Sequence, residues 1–248
     1  MTFELSTRDA VDWLRDLAAE SVDLVITDPA YESLEKHRAV GTTTRLKHSK
    51  ASSNDWFNIF PNARFGELFA EVYRVLKPDT HFYLLCDSET MFVAKPEAEK
   101  AGFKFWKPLV WDKRSIGMGY HYRARYELIL FFEKGKRRLN DLGIADIIEV
   151  PRIRGGYPAE KPVEVAAVLI NQSSQPGEVI VDPFMGSGSV GVAAVRLGRR
   201  FIGNDLNPEA VQISARRLRE AGASGPAPQP STEAEPMQAE LLGSLTRA

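Results

Sequence analysis

The chain has 248 residues and a formal net charge of −1, with 44% hydrophobic and 26% charged positions. That is ordinary globular composition, long enough for one α/β domain with a full core, and it speaks against a uniformly basic nucleic-acid binder. The longest apolar run, "VEVAAVLI", is interrupted by Glu164 and falls well short of the roughly 18 residues that cross a bilayer, so no membrane span is expected.

In chain order, residues 3–6 read as a strand and 9–17 as a helix. Residues 22–27 form an apolar strand that stops abruptly at Asp28, Pro29, Ala30 and Tyr31. Residues 32–62 then run for about thirty positions without apolar periodicity, longer than loops in compact domains usually are. This connection is expected to be a mobile lid or a ligand-contacting loop. Helices follow at 65–76, ended by "LKPD", and at 89–101, where Pro96 predicts a kink or two short helices. Strands are expected at 81–86, 103–111 and 126–132. Cys86, within "HFYLLCD", has no cysteine to pair with and reads as a core residue. With no signal-like segment, the expected compartment is the cytoplasm.

Residues 133–157 form a second long connection, a candidate recognition segment. Beyond it lie helices at 162–171, 189–197 and 208–221 and strands at 179–181 and 200–203, with Asn207 and Pro208 as cap and first helical position. Seven strands alternating with helices predict an α/β fold with a mostly parallel sheet covered on both faces. The domain is expected over 1–221, and "GASGPAPQPSTEAEP" opens a flexible tail over 222–248. Basic charge is clustered: residues 36–50 hold five Lys/Arg and no acid, and residues 104–138 hold ten against three acids. Such runs are ordinary solvated surface unless they flank a reactive motif, where they suit phosphate contacts.

In open α/β sheets, ligands gather at the carboxyl ends of strands. Gly186, Gly188 and Gly191 match G-x-G-x-x-G, and Asp205 stands at the end of the next strand, the arithmetic of a nucleotide-ribose site. A nicotinamide dinucleotide is one reading. However, Asp182, Pro183, Phe184 and Met185 separate the strand from the first glycine, and a carboxylate there opposes a pyrophosphate. An acid suits a cationic ligand such as S-adenosylmethionine. At the earlier strand end, Asp28 and the Pro29 carbonyl could face the two N–H bonds of a nucleobase amine and draw its lone pair back onto nitrogen. Tyr31 would stack on a base swung out of its helix. The plainer alternative is a strand-ending turn with a packing tyrosine.

Together these segments resemble the S-adenosylmethionine-dependent amino-methyltransferases of DNA, which modify adenine N6 or cytosine N4. "DPAY" is similar to their (Asp/Asn/Ser)-Pro-Pro-aromatic motif and "DPFMGSG" to their cofactor loop. The catalytic motif comes about 150 residues before the cofactor loop, the circularly permuted order of the β class. The resemblance implies a Rossmann-like methyltransferase fold. It also implies that Asp9 and Ala10 line the cofactor's adenine, and that Lys161, in "YPAEKP", holds the methionine carboxylate. Asp182, Phe184, Gly186, Ser187 and Gly188 would form the cofactor loop, with Asp205 and Leu206 at ribose and adenine. Asp28 would serve both cofactor and catalysis. The implied activity is adenine N6 methylation of DNA, the first-position aspartate favouring adenine over cytosine N4. A non-catalytic nucleic-acid-binding subunit is the alternative. A homodimer and a companion restriction endonuclease are partners the family leaves open. Three departures stand out: Ala30 replaces the second proline, Tyr157 replaces a histidine, and no large target-recognition region is present. Specificity would then come from residues 32–62, 113–125 or 133–157, or from a partner.

Overall fold

The computed structural model describes residues 1–33, 58–117, 121–155 and 160–227. Among these, one sheet contains β1 (Phe3–Ser6), β2 (Val22–Thr27), β3 (Leu76–Cys86), β4 (Lys104–Asp112), β5 (Tyr126–Lys134), β6 (Ile147–Glu149), β7 (Val179–Asp182) and β8 (Arg200–Asn204). Their spatial order is β1-β8-β7-β2-β3-β5-β4-β6. All neighbours are parallel except those of β5, which runs antiparallel to β3 and β4. The helices are α1 (Ala10–Asp16), α2 (Phe65–Val75), α3 (Ser88–Lys100), α4 (Val163–Ser173), α5 (Ser189–Arg196) and α6 (Pro208–Glu220).

The sequence pattern explains this layering. All six residues of β2 are buried, as expected of a strand with parallel neighbours on both edges and helices on both faces. Strand alternation sends Leu24, Ile26, Tyr83, Leu85, Ile129 and Phe131 into a core under α4, α5 and α6. Val25, Phe82, Leu84, Leu130 and Phe132 go to the opposite core under α1, α2 and α3. In α2 the buried residues Phe65, Leu68, Phe69, Val72 and Val75 recur at helical spacing, so that helix has one apolar stripe to bury. The one acid buried in β2, Asp23, accepts from Lys77 Nζ at 2.7 Å and from the Val179 N–H at 2.9 Å, stitching the starts of β2, β3 and β7 together.

Four expectations are corrected. The sheet has eight strands where seven were read, because residues 133–157 include the edge strand β6 beside β4. Strand β3 begins at Leu76 rather than at 81, so "LKPD" ends the helix as expected and also opens the strand. Asp79 takes a positive φ of 56° there, and its carboxylate accepts from the Lys136 N–H. Helix α3 runs through Pro96 as one helix rather than two. The domain does not end at 221, since Ala223 is buried and Ser224 bridges Thr2. The rest of the expected tail, 228–248, lies outside the described residues. So do 34–57, with the basic cluster at 36–50, and 118–120 and 156–159, with Tyr157. Cys86 is a buried free thiol. Among the described residues, no helix is long and apolar enough to cross a membrane.

Candidate active site

From β7 the chain moves to β8 on one side, and from β2 it moves to β3 on the other, so the β7–β2 boundary is the point where the winding direction reverses. A crevice opens at such a point beyond the strands' carboxyl ends. Asp182 ends β7 and Asp28 follows β2, which puts both sequence-assigned acids on that rim. They are joined through their neighbours: Thr27 Oγ1 donates to Asp182 Oδ1 at 2.8 Å, a fully buried bond between residues 155 positions apart. Because β5 runs antiparallel, it begins where its neighbours end. Glu127, opposite Trp111 of β4, therefore joins the same rim.

On the catalytic side Asp28 is 26% exposed, and its Oδ2 lies 2.6 Å from Lys161 Nζ. Lys161 Nζ is also 3.1 Å from Glu127 Oε2, and Glu127 Oε1 is 3.0 Å from Lys113 Nζ. Burial raises the Asp28 carboxyl above its usual pKa, opposed by Lys161 and reinforced by Glu127. Burial also acts to raise Glu127, but Lys161 and Lys113 outweigh it and hold that carboxyl low. For Lys161, burial works against the charge, and Asp28 and Glu127 together keep its pKa well above the lysine value. Pro29 is buried. Tyr31 is 8% exposed, and burial with the Asp28 charge keeps its phenol neutral. The Ala30 carbonyl accepts from the Phe60 N–H at 2.7 Å, and the Asn62 N–H donates to Glu32 Oε1 at 2.8 Å. The two ends of the 32–62 connection are thereby pinned together behind the motif.

The cofactor side is held differently. Asp182 Oδ1 also accepts from the Phe184 N–H at 3.0 Å; burial pushes this carboxyl up to about 8, with Asp28 and Asp205 adding to the rise. Asp205 accepts from the N–H groups of Gly186 at 2.8 Å and Asn207 at 2.9 Å, and burial still raises its pKa. Gly188 has φ 80°, and a Cβ there would lie 2.7 Å from Ser214 Oγ, so the loop packs against α6 only because glycine occupies that position. Ser187 is buried, with its carbonyl and hydroxyl both accepting from Arg217. Phe184 stands edge-on to Phe60, ring centroids 5.0 Å apart. Asp9 caps α1 through the Val11 and Asp12 N–H groups and accepts from Nη1 and Nη2 of Arg64, which hold its pKa low. Ala10 is buried beside it, and Leu206 is half-exposed beyond Asp205.

The site residues assigned from sequence thus lie at the ends of β1, β2, β7 and β8, with Lys161 reaching over from the segment before α4. Three contributors escaped the sequence reading: Thr27, Lys113 and Glu127. A clue to Glu127 was an acid at the start of the buried run "ELILFF", but it meant little until the strand's direction was known. Two acids raised by burial at consecutive strand ends suit a ligand bearing an ammonium and a sulfonium, and they oppose a pyrophosphate. The donor set therefore fits S-adenosylmethionine. Among the described residues, no group of His, Cys, Asp and Glu is arranged to hold a metal.

Comparison with known proteins agrees with this geometry. The model of a DNA methylase family, the N6/N4 methyltransferases, matches residues 22–216. The chain is 28% identical to the DNA adenine methyltransferase YhdJ of Escherichia coli, over 85% of this chain and 80% of that protein. It is 25% identical to the type II methyltransferase M.HpaI of Haemophilus parainfluenzae, over 88% and 74%. In fold it is similar to TTHA0409, a DNA modification methylase of Thermus thermophilus solved with S-adenosyl-L-methionine, at TM-score 0.65 and 22% identity, covering 92% of this chain and all 100% of that one. The cytosine-N4-specific PvuII DNA methyltransferase matches at TM-score 0.69 and 18% identity, over 88% and 86%. With its rim chemistry and with a family model spanning most of its length, this chain belongs to the S-adenosylmethionine-dependent DNA amino-methyltransferases that act on adenine N6 or cytosine N4.

Proposed function

We propose that this protein transfers a methyl group from S-adenosylmethionine to the N6 amine of an adenine in DNA. The observation that carries the reading is the junction at the switch point, where the Asp28 motif and the Asp182 loop are tied by the Thr27 hydrogen bond. S-adenosylmethionine, when bound, supplies an electrophilic methyl. The chain's own part is to make a poor nucleophile better and to place it. An ionised Asp28 accepts one N–H of the amine and the Pro29 carbonyl the other, drawing the lone pair out of the ring. The Ala30 carbonyl is already engaged by Phe60, so within the motif the backbone acceptor role falls to Pro29. Tyr31, kept neutral, offers its ring to the base, which must leave the duplex to reach the rim. Two features favour adenine: the aspartate in the first motif position, and the name of the 28% identical relative.

The test is to methylate DNA with the purified protein, digest it to nucleosides and identify the modified base by mass. N6-methyladenine is the expected product. N4-methylcytosine would overturn the choice of base, and unmodified DNA together with no cofactor binding in a calorimetric titration would overturn the enzyme reading.

A further inference from the structure

Glu127 takes no part in the chemistry above, yet it occupies the middle of the catalytic side. Lys113, Glu127, Lys161 and Asp28 form a row of alternating charge from the end of β4 to the end of β2, with successive separations of 3.0, 3.1 and 2.6 Å. The outer end is anchored, because Lys113 Nζ lies 5.8 Å from the Trp111 ring centre and the Trp111 indole N–H donates to the Val150 carbonyl at 2.7 Å. Lys161, Glu127 and Lys113 are each about one-fifth exposed, so water screens them incompletely.

The row resolves a conflict in the demands on Asp28. To accept from an amine it must be ionised, which at a partly buried position calls for a nearby cation. A lysine paired to it alone would occupy the acceptor oxygen the amine needs. A second carboxylate sharing that ammonium relieves the competition, and Lys113 cancels the repulsion that this second carboxylate would bring. We propose that Glu127 is a positioning residue that holds Lys161 between two carboxylates, so that the ammonium keeps Asp28 ionised without closing its acceptor oxygens to the target amine; this rests on the methyl-transfer reading of Asp28. The other ionisable groups near Asp28 are Asp182 from β7, Tyr31 from its own loop, and Cys86 and Asp87 from the end of β3. Of these, Tyr31 and Cys86 are kept neutral by burial.

Two measurements on the full-length chain test this. In the first, the Asp28 carboxyl is titrated by carboxyl-carbon NMR, its signal assigned with Asp28→Asn. Glu127→Gln removes a neighbouring negative charge and lowers the Asp28 pKa, whereas Lys113→Met removes a positive one and raises it. In the second, single-turnover methyl transfer is followed against pH. The acid limb moves down in Glu127→Gln and up in Lys113→Met, and the plateau rate of Glu127→Gln falls roughly tenfold or more with the cofactor's KM little changed. Glu127→Asp, which keeps the charge with a shorter reach, brings the acid limb back toward the wild-type position. Opposite shifts show that both charges face Asp28, and a plateau rate that falls although Asp28 ionises more readily is what positioning adds, so an unchanged plateau, shifts of the same sign, or none, overturn the proposal. Should Glu127→Gln fail to fold, an unmoved or lowered Asp28 pKa in Lys113→Met overturns it alone. If the wild-type protein transfers no methyl group, the functional reading falls, while the NMR titration still decides whether Glu127 and Lys113 set the charge state of Asp28.

Discussion

On the β2 side of the rim, Asp28 and Glu127 share two lysines, whereas on the β7–β8 side Asp182 and Asp205 are held by the Thr27 hydroxyl and by the N–H groups of Phe184, Gly186 and Asn207. Among the described residues, no lysine or arginine forms an ion pair with Asp182 or Asp205. The pKa directions follow in part: Glu127 is held low by its lysines, although burial still raises its neighbour Asp28, while on the other side burial lifts Asp182 to about 8 and raises Asp205. N–H donors offset only part of the cost of burying a carboxylate, and a full countercharge offsets more. One half of the rim is therefore electrically complete, and the other is built for a cation that arrives from outside.

Substitutions can break this contrast. The largest effect is expected for Asp28→Ala, which removes the acceptor on the completed side. Methyl transfer should fall by at least about a thousandfold, with the fold retained; rapid-quench assays and circular dichroism check both, and a wild-type rate would sink the mechanism. Next is Asp205→Ala on the incomplete side, which strands the Gly186 and Asn207 N–H groups. Cofactor affinity by calorimetry should weaken about tenfold or more, and unchanged affinity would remove Asp205 from the site.

Asp182→Asn probes the same side through pH. The folded carboxyl titrates at about 8, against 3.8 for an ordinary aspartate, so between these values the folded protein holds a proton that the unfolded chain has lost. This contribution to stability is fully present below about pH 4 and is lost as pH rises through about 8. The asparagine variant, which cannot ionise, should lack that decline, so its melting temperature should gain on the wild type across the window. Parallel profiles would contradict the raised value. The smallest effect is expected from Ala30→Pro: proline keeps the carbonyl that Phe60 uses and stiffens the loop, changing stability by no more than about 1 kcal/mol. The transfer rate should be equal or higher, and a collapse would show that the alanine is required.

The two central strand ends were legible in the sequence because the apolar runs 22–27 and 179–181 stop at Asp28 and Asp182, and α2 was legible because its buried residues recur at helical spacing. Strand β6 was not, since three residues with one buried side chain at a sheet edge leave no periodicity to read. The start of β3 was hidden by Lys77, Pro78 and Asp79, which look like a turn and are accommodated by a register shift between Val22 and Leu24. The lysine–carboxylate row was invisible for a different reason. It joins positions 28, 113, 127 and 161, and only the antiparallel course of β5 brings Glu127 to the rim where Asp28 stands.

The Thr27 hydroxyl has one further consequence. It belongs to the residue immediately before Asp28 and donates to the carboxylate most strongly shifted on the cofactor side. A change in the charge on Asp182 therefore changes the strength of a bond that fixes the backbone leading into the catalytic motif. Binding free energies are reciprocal: whatever an occupant of the glycine loop does to the readiness of Asp28, a base held by Asp28 does in equal measure to the grip of that loop. On the proposed reading of the two sites, this hydroxyl hydrogen couples them beside the direct charge interaction of Asp28 with Asp182, and Thr27→Val, which keeps the shape and removes the bond, would make their binding more nearly independent.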